Sequence, residues 1–119
     1  TVAALGAELG LRVQRQVKLG RRLWGAERRI DLVLTEPATR RTLGVECKFQ
    51  RTSGTAEEKL PAVLADMDSW PMRGLLVFAG PGFSANLRHF LYSTGKAADL
   101  ADLRQWLALY FGLGGEDAI

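Results

Sequence analysis

The sequence contains one cysteine, Cys47, and one histidine, His89. A lone thiol forms neither an internal disulfide nor a cysteine-rich zinc site, and a lone imidazole excludes a metal centre built on paired histidines. No uncharged run reaches the ~20 apolar residues that cross a bilayer. The uncharged stretch from Trp106 to Gly115 falls well short of it. Thr1 to Gly6 shows no basic region leading into a long apolar core and cleavage site, so these residues do not read as a secretory signal. Without disulfides, spans or a leader, the expected location is the reducing cytoplasm. Gly80-Pro81-Gly82 lacks the lysine and the Ser or Thr of a phosphate loop, which disfavours a nucleotide triphosphatase.

What is present fits one globular domain over residues 1–119, with 47% hydrophobic and 24% charged residues. The net charge is only +3, but it is unevenly placed. Residues 12–51 hold eleven basic side chains against four acids, and the rest of the chain holds five against nine. A basic half of this kind suits a phosphate-facing surface, since clustered Arg and Lys displace counterions from a nucleic-acid backbone. A solvated basic face without a partner is the alternative that charge alone leaves open.

Hydrophobic spacing orders the elements. Val2 to Leu9 reads as a helix closed by Gly10, and Leu11, Val13 and Val17 alternate with polar residues as a half-buried strand. Leu19 to Arg22 reads as a turn. A second strand at Arg29 to Leu34 carries Asp31, and after the turn around Pro37 a third runs from about Thr42 to Gln50, completing an antiparallel meander. Thr55 and Glu58 form a capping box for a helix reaching about Asp68, whose regular part is expected to begin after Pro61. The apolar run Gly74 to Gly80 predicts a strand buried on both faces. Phe83, Leu87, Phe90 and Leu91 make one amphipathic helix, and Leu100, Leu103, Trp106, Leu107, Tyr110 and Phe111 a stronger one. The expected fold class is α/β, a central mixed four-stranded sheet flanked by helices in the order αβββαβαα.

The chemistry concentrates on the third strand. Period-2 geometry sends Val45, Cys47 and Phe49 to one face and Glu46, Lys48 and Gln50 to the other. The meander brings Asp31 towards Glu46, so that two carboxylates and a lysine converge. Hard oxygen ligands of this type suit Mg²⁺, which would polarise a phosphate and activate water, while Lys48 serves the nucleophile or the developing charge. Glu8, on the opening helix, is placed to assist from the side.

Asp31 followed by Glu46-Cys47-Lys48 on the next strand resembles the PD-(D/E)XK nuclease superfamily, with its restriction-endonuclease-like fold. The resemblance implies metal ligation by Asp31 and Glu46, with Cys47 counted in the metal set, Lys48 at the nucleophilic water and Glu8 as a further catalytic group. The superfamily's core order matches the reading of residues 1 to 80. Ile30 stands where the motif's proline would precede Asp31. The resemblance implies a Mg²⁺-dependent DNA endonuclease, with Mn²⁺ as a substitute. A catalytically silent nucleic-acid-binding module is the alternative, as is, among the enzymes, a Holliday-junction resolvase.

Arg12, Arg15, Arg21, Arg22, Arg28, Arg29, Arg51 and Gln50 are the candidates for backbone contact with DNA. Trp106, Tyr110 and Phe111 suit a core, base stacking or a homodimer through the C-terminal helix. Cys47 itself reads as a small residue on the apolar face, and His89 as a surface helix residue.

Overall fold

The computed structural model describes residues 1–21, 27–50 and 56–113. Helix α1 (Val2–Glu8) is set by its ends: the Thr1 side chain accepts from the Ala4 amide at 3.1 Å. Gly10 then takes φ +82°, and the amides of Gly10 and Leu11 donate back to Ala7 and Gly6. These paired bonds stop the helix at the expected glycine.

Strands β1 (Arg12–Arg21), β2 (Glu27–Thr35) and β3 (Thr42–Phe49) form the antiparallel meander. Leu19 to Arg21 departs from the sequence reading: it continues β1 instead of turning. A register shift between Lys18 and Gly20 absorbs the irregularity, and pairing resumes as Gly20 with Arg28 and Arg21 with Glu27. Between β2 and β3 the Glu36 carboxylate accepts the Thr39 amide at 2.6 Å, which secures the turn around Pro37.

Helix α2 (Ala56–Met67) includes Pro61 instead of starting after it. Proline removes one amide near the first turns, and burial of Leu60, Leu64 and Met67 holds the helix in place. Thr55 of the expected capping box lies outside the described residues. Strand β4 (Arg73–Ala79) pairs in parallel with β3, and Leu75 to Phe78 are fully buried, as their unbroken apolar run requires.

After α3 (Ala85–Ser93) the structure corrects the expected strand count. Ala97–Asp99 forms a fifth strand, β5, parallel to β4, and the sheet order is β1-β2-β3-β4-β5. Two alanines and an aspartate carry no strand signature, and only pairing with Leu76, Val77 and Phe78 makes them one. A 3₁₀ turn (Leu100–Asp102) leads into α4 (Leu103–Phe111).

Alternation along the strands divides the interior in two. Leu32, Leu34, Leu43, Val45, Leu75 and Val77 pack with α1 and α4, whereas Leu76 and Phe78 pack with α2 and α3. Asp31, Glu46 and Lys48 alternate with the first set, so they face the α2 side. None of the described helices is long and apolar enough to cross a membrane.

Candidate active site

The β2–β3 ladder runs from Thr35 opposite Thr42 to Leu32 opposite Val45 and ends there. One step further, Asp31 and Glu46 face each other across strands that no longer pair. Their carboxylates take the place of the ladder bonds: Asp31 Oδ2 accepts from the Cys47 amide at 3.0 Å, and Glu46 Oε1 from the Asp31 amide at 3.3 Å. Asp31 is also released on its other side. Gln16, which would oppose it from β1, takes φ +50° and drops out of a register that holds at Arg15 and Val17. Left-handed backbone in a residue other than glycine is a strained feature, and here it flanks the acid pair.

Both acids are half-buried. Burial, then repulsion from Asp31, raises the Glu46 carboxyl above the ordinary glutamate range, while the Asp31 amide and Lys48 pull it partly back. Two acids crowded together in this way gain from a cation. Lys48 stands two residues along on the same face, also half-buried.

The Cys47 side chain points the other way, against the core shared with α1 and α4. Burial, and then Asp31 and Glu46, push its thiol up to about 11, and it faces the core and not the acid pair. Among the described residues no cluster of three or more His, Cys, Asp or Glu side chains forms a metal-binding group. Phe49, expected on the apolar face, is 61% exposed because the core on that face ends at Cys47.

Beside the pair lies an open cleft of about 710 Å³ between β2 and α2, lined by Arg28, Arg29, Glu46, Val63, Asp66 and Trp70 among others. Trp70 lies over the sheet because Gly44 and Gly74 are neighbours in the register; a Cβ on Gly44 would stand 2.8 Å from its ring. Asp66 and Ser69 are the cleft residues that sequence reasoning missed. Their only signal is their place at the end of, and just after, the helix following Glu46-Cys47-Lys48.

Glu8 is not brought to the pair. Helix α1 packs with α4 on the opposite face, and Glu8 bonds Arg104 at 2.8 Å, with both side chains more than half exposed. Such a pair contributes little, at most about 1 kcal/mol. Glu8→Ala is therefore expected to leave both the melting temperature and any nucleic-acid cleavage close to wild type. A loss of cleavage beyond about tenfold would return Glu8 to the site.

Among the described residues the basic side chains of 12–51 do not gather into one patch. Lys18, Arg28 and Arg29 stand at the acid-pair end of the sheet, whereas Arg12, Arg40 and Arg41 stand at the other. Arg41 covers the Tyr110 ring at 4.6 Å. Arg15 is exposed midway along β1, and the side chains of Arg21, Arg22 and Arg51 fall outside the described residues. Gln50 donates from Nε2 to the Gly82 carbonyl at 3.0 Å, which ties its amide to the turn after β4. Leu103, Leu107 and Phe111 of α4 are buried in the chain's own core, Trp106 stacks on Tyr110, and Leu109 is left exposed. His89 is exposed on α3, as expected.

The profile of the PD-(D/E)XK nuclease superfamily domain matches residues 2–110. The chain belongs to this superfamily. Members of this superfamily are generally nucleases. The domain is also similar to a crystal structure titled as a protein of unknown function, AF1548, at a TM-score of 0.57 and 20% identity. The likeness covers 82% of this chain and 54% of that one, so this PD-(D/E)XK domain spans about half the length of its structural relative. At that identity the likeness concerns the fold alone. No curated protein matches the sequence.

Proposed function

We propose that this PD-(D/E)XK domain hydrolyses phosphodiester bonds in DNA with a divalent cation, Mg²⁺ or in its place Mn²⁺, held by Asp31 and Glu46. The observation that carries this reading is the facing of the two carboxylates where the β2–β3 ladder opens, with Lys48 on the same face. Carboxylate oxygens in a half-buried, mutually repelling pair are the donor set of a hard cation. Cys47 joins them through its main-chain carbonyl, which in an extended strand points to the same edge as the amide that meets Asp31. When bound, the cation polarises the scissile phosphate and offsets its charge.

The chain's own residues do the remainder. The Asp31 and Glu46 carboxylates would hold the cation where the β2–β3 ladder opens. Lys48 orients the attacking water and meets the negative charge that develops on the phosphoryl oxygens. Arg28 and Arg29 line the adjoining cleft, where the backbone of the substrate would lie.

Cleavage of labelled duplex, single-stranded and four-way-junction DNA with Mg²⁺, Mn²⁺ or EDTA tests the reading. Metal-dependent cutting is expected from wild type, with a loss of about 10²-fold or more in Lys48→Ala. A preference for the junction would make the enzyme a resolvase. Folded protein that binds DNA but cuts none of the three in either metal would sink the nuclease reading in favour of a silent binding module.

A further inference from the structure

Arg28 precedes Asp31 on β2 and reaches across the cleft to α2. Its Nη2 meets Asp66 Oδ1 at 2.8 Å, and its Nη1 donates to Ser69 Oγ at 2.7 Å. Its Nε is buried and has no hydrogen-bond partner among the described residues. Buried donors are almost always satisfied, and an orphaned one costs stability until something meets it. Nε and Nη2 together form the side-on fork with which a guanidinium grips two oxygens of one oxyanion. Asp66 engages only half of that fork. It is also an acid in a cleft suited to a polyanion, and its charge adds to the repulsion on Glu46.

We propose that Arg28 is a phosphate-gripping residue of this site, held back by Asp66 in the free protein. A nucleic-acid phosphate entering the cleft takes Nε and Nη2 together, and the tie between β2 and α2 opens. The two non-bridging oxygens of a phosphodiester match the fork, whereas Asp66, fixed on its helix, supplies one contact. Ser69, anchored by its own bond to the Asp66 carbonyl at 2.7 Å, stays on Nη1 and keeps the guanidinium aimed. Binding then exchanges one ion pair for another, so the free protein already holds the arginine extended. The inference rests on the site being a nucleic-acid site, as proposed above, and not on cleavage.

A double-mutant cycle on the full chain tests it, read as fluorescence anisotropy of a labelled DNA 20-mer in EDTA, where no cutting occurs. Asp66→Asn is expected to tighten binding severalfold, up to about tenfold. Arg28→Gln should weaken binding and lower the salt dependence by about one unit of slope. In the Arg28→Gln background Asp66→Asn should tighten binding distinctly less, by no more than the loss of one acid from the cleft, and Arg28→Lys should recover only part of the affinity because it has charge without the fork. Equal tightening by Asp66→Asn in both backgrounds would overturn the proposal, since it would then reflect only the removal of an acid. Weaker binding by Asp66→Asn would overturn it too. If Arg28→Gln does not fold, the cycle is run with Arg28→Lys, in which the gain from Asp66→Asn must shrink. Cleavage with a flat cycle removes this inference alone; a positive cycle without cleavage removes only the nuclease reading.

Discussion

Glu46→Gln is expected to melt higher than wild type in EDTA and, in the same preparation, to lose Mg²⁺-dependent cleavage by on the order of 10³-fold. The two effects have one cause. Burial and the facing Asp31 raise the Glu46 carboxyl above its ordinary value, so the folded state disfavours the ionised form. Below the ordinary glutamate value of about 4.3 the group is protonated in both states and exacts no penalty. As pH rises through that value and then through the folded one, the unfolded chain ionises more readily and stability is lost. Glutamine keeps the shape and the oxygen that accepts the Asp31 amide, but it never carries the charge. The gain of the variant should therefore be small in acid and a few degrees at neutral pH. Mg²⁺ should stabilise wild type and leave the variant unmoved, because a ligand stabilises only the state that binds it. A variant that melts lower than wild type at neutral pH, or an equal Mg²⁺ shift in both, would count against Glu46 as the burdened cation ligand.

Gly80→Ala is expected to be the most damaging single-methyl change at this end of the sheet. Gly80 follows β4 at φ +111°, and a Cβ there would stand 2.1 Å from the Gln50 carbonyl oxygen, a main-chain atom that has no rotamer with which to yield. That carbonyl accepts the Gly82 amide at 2.9 Å, the Gln50 amide donates to Ala79 at 3.0 Å, and Arg88 donates to the Gly80 carbonyl at 2.9 Å. The turn is laced to the end of β3, next to Lys48. The clash and the disallowed backbone together should cost more than about 3 kcal/mol, seen as a drop of more than about 10 °C in Tm. Cleavage should fall with it, since the end of β3 must shift. Gly95→Ala is the control: φ is +69° there with nothing within 4 Å of the added methyl, so it should cost only about 1 kcal/mol. Similar melting of the two variants would mean that the turn yields.

Local patterns carried the elements that have a strong period or an end signal. The alternation of Leu11 to Lys18, the stop at Gly10 and the apolar run at Gly74 to Gly80 each depend on residues near in sequence, and each appears where it was expected. The facing of Asp31 and Glu46 was legible because a short turn between antiparallel strands leaves few registers open. Strand β5 was not legible, because alanines acquire strand conformation only from the neighbour they pair with.

The α/β meander and the row of Glu46 and Lys48 follow from the order of residues along the strands, since period-2 alternation is a property of the chain alone. Tertiary structure alone decided which charges share a site. It put Glu8 on the far face with Arg104, split the basic run between the two ends of the sheet, and brought Asp66 of α2 against Arg28. Charges carry no periodic signal, and their partners across a cleft are set by how the layers stack.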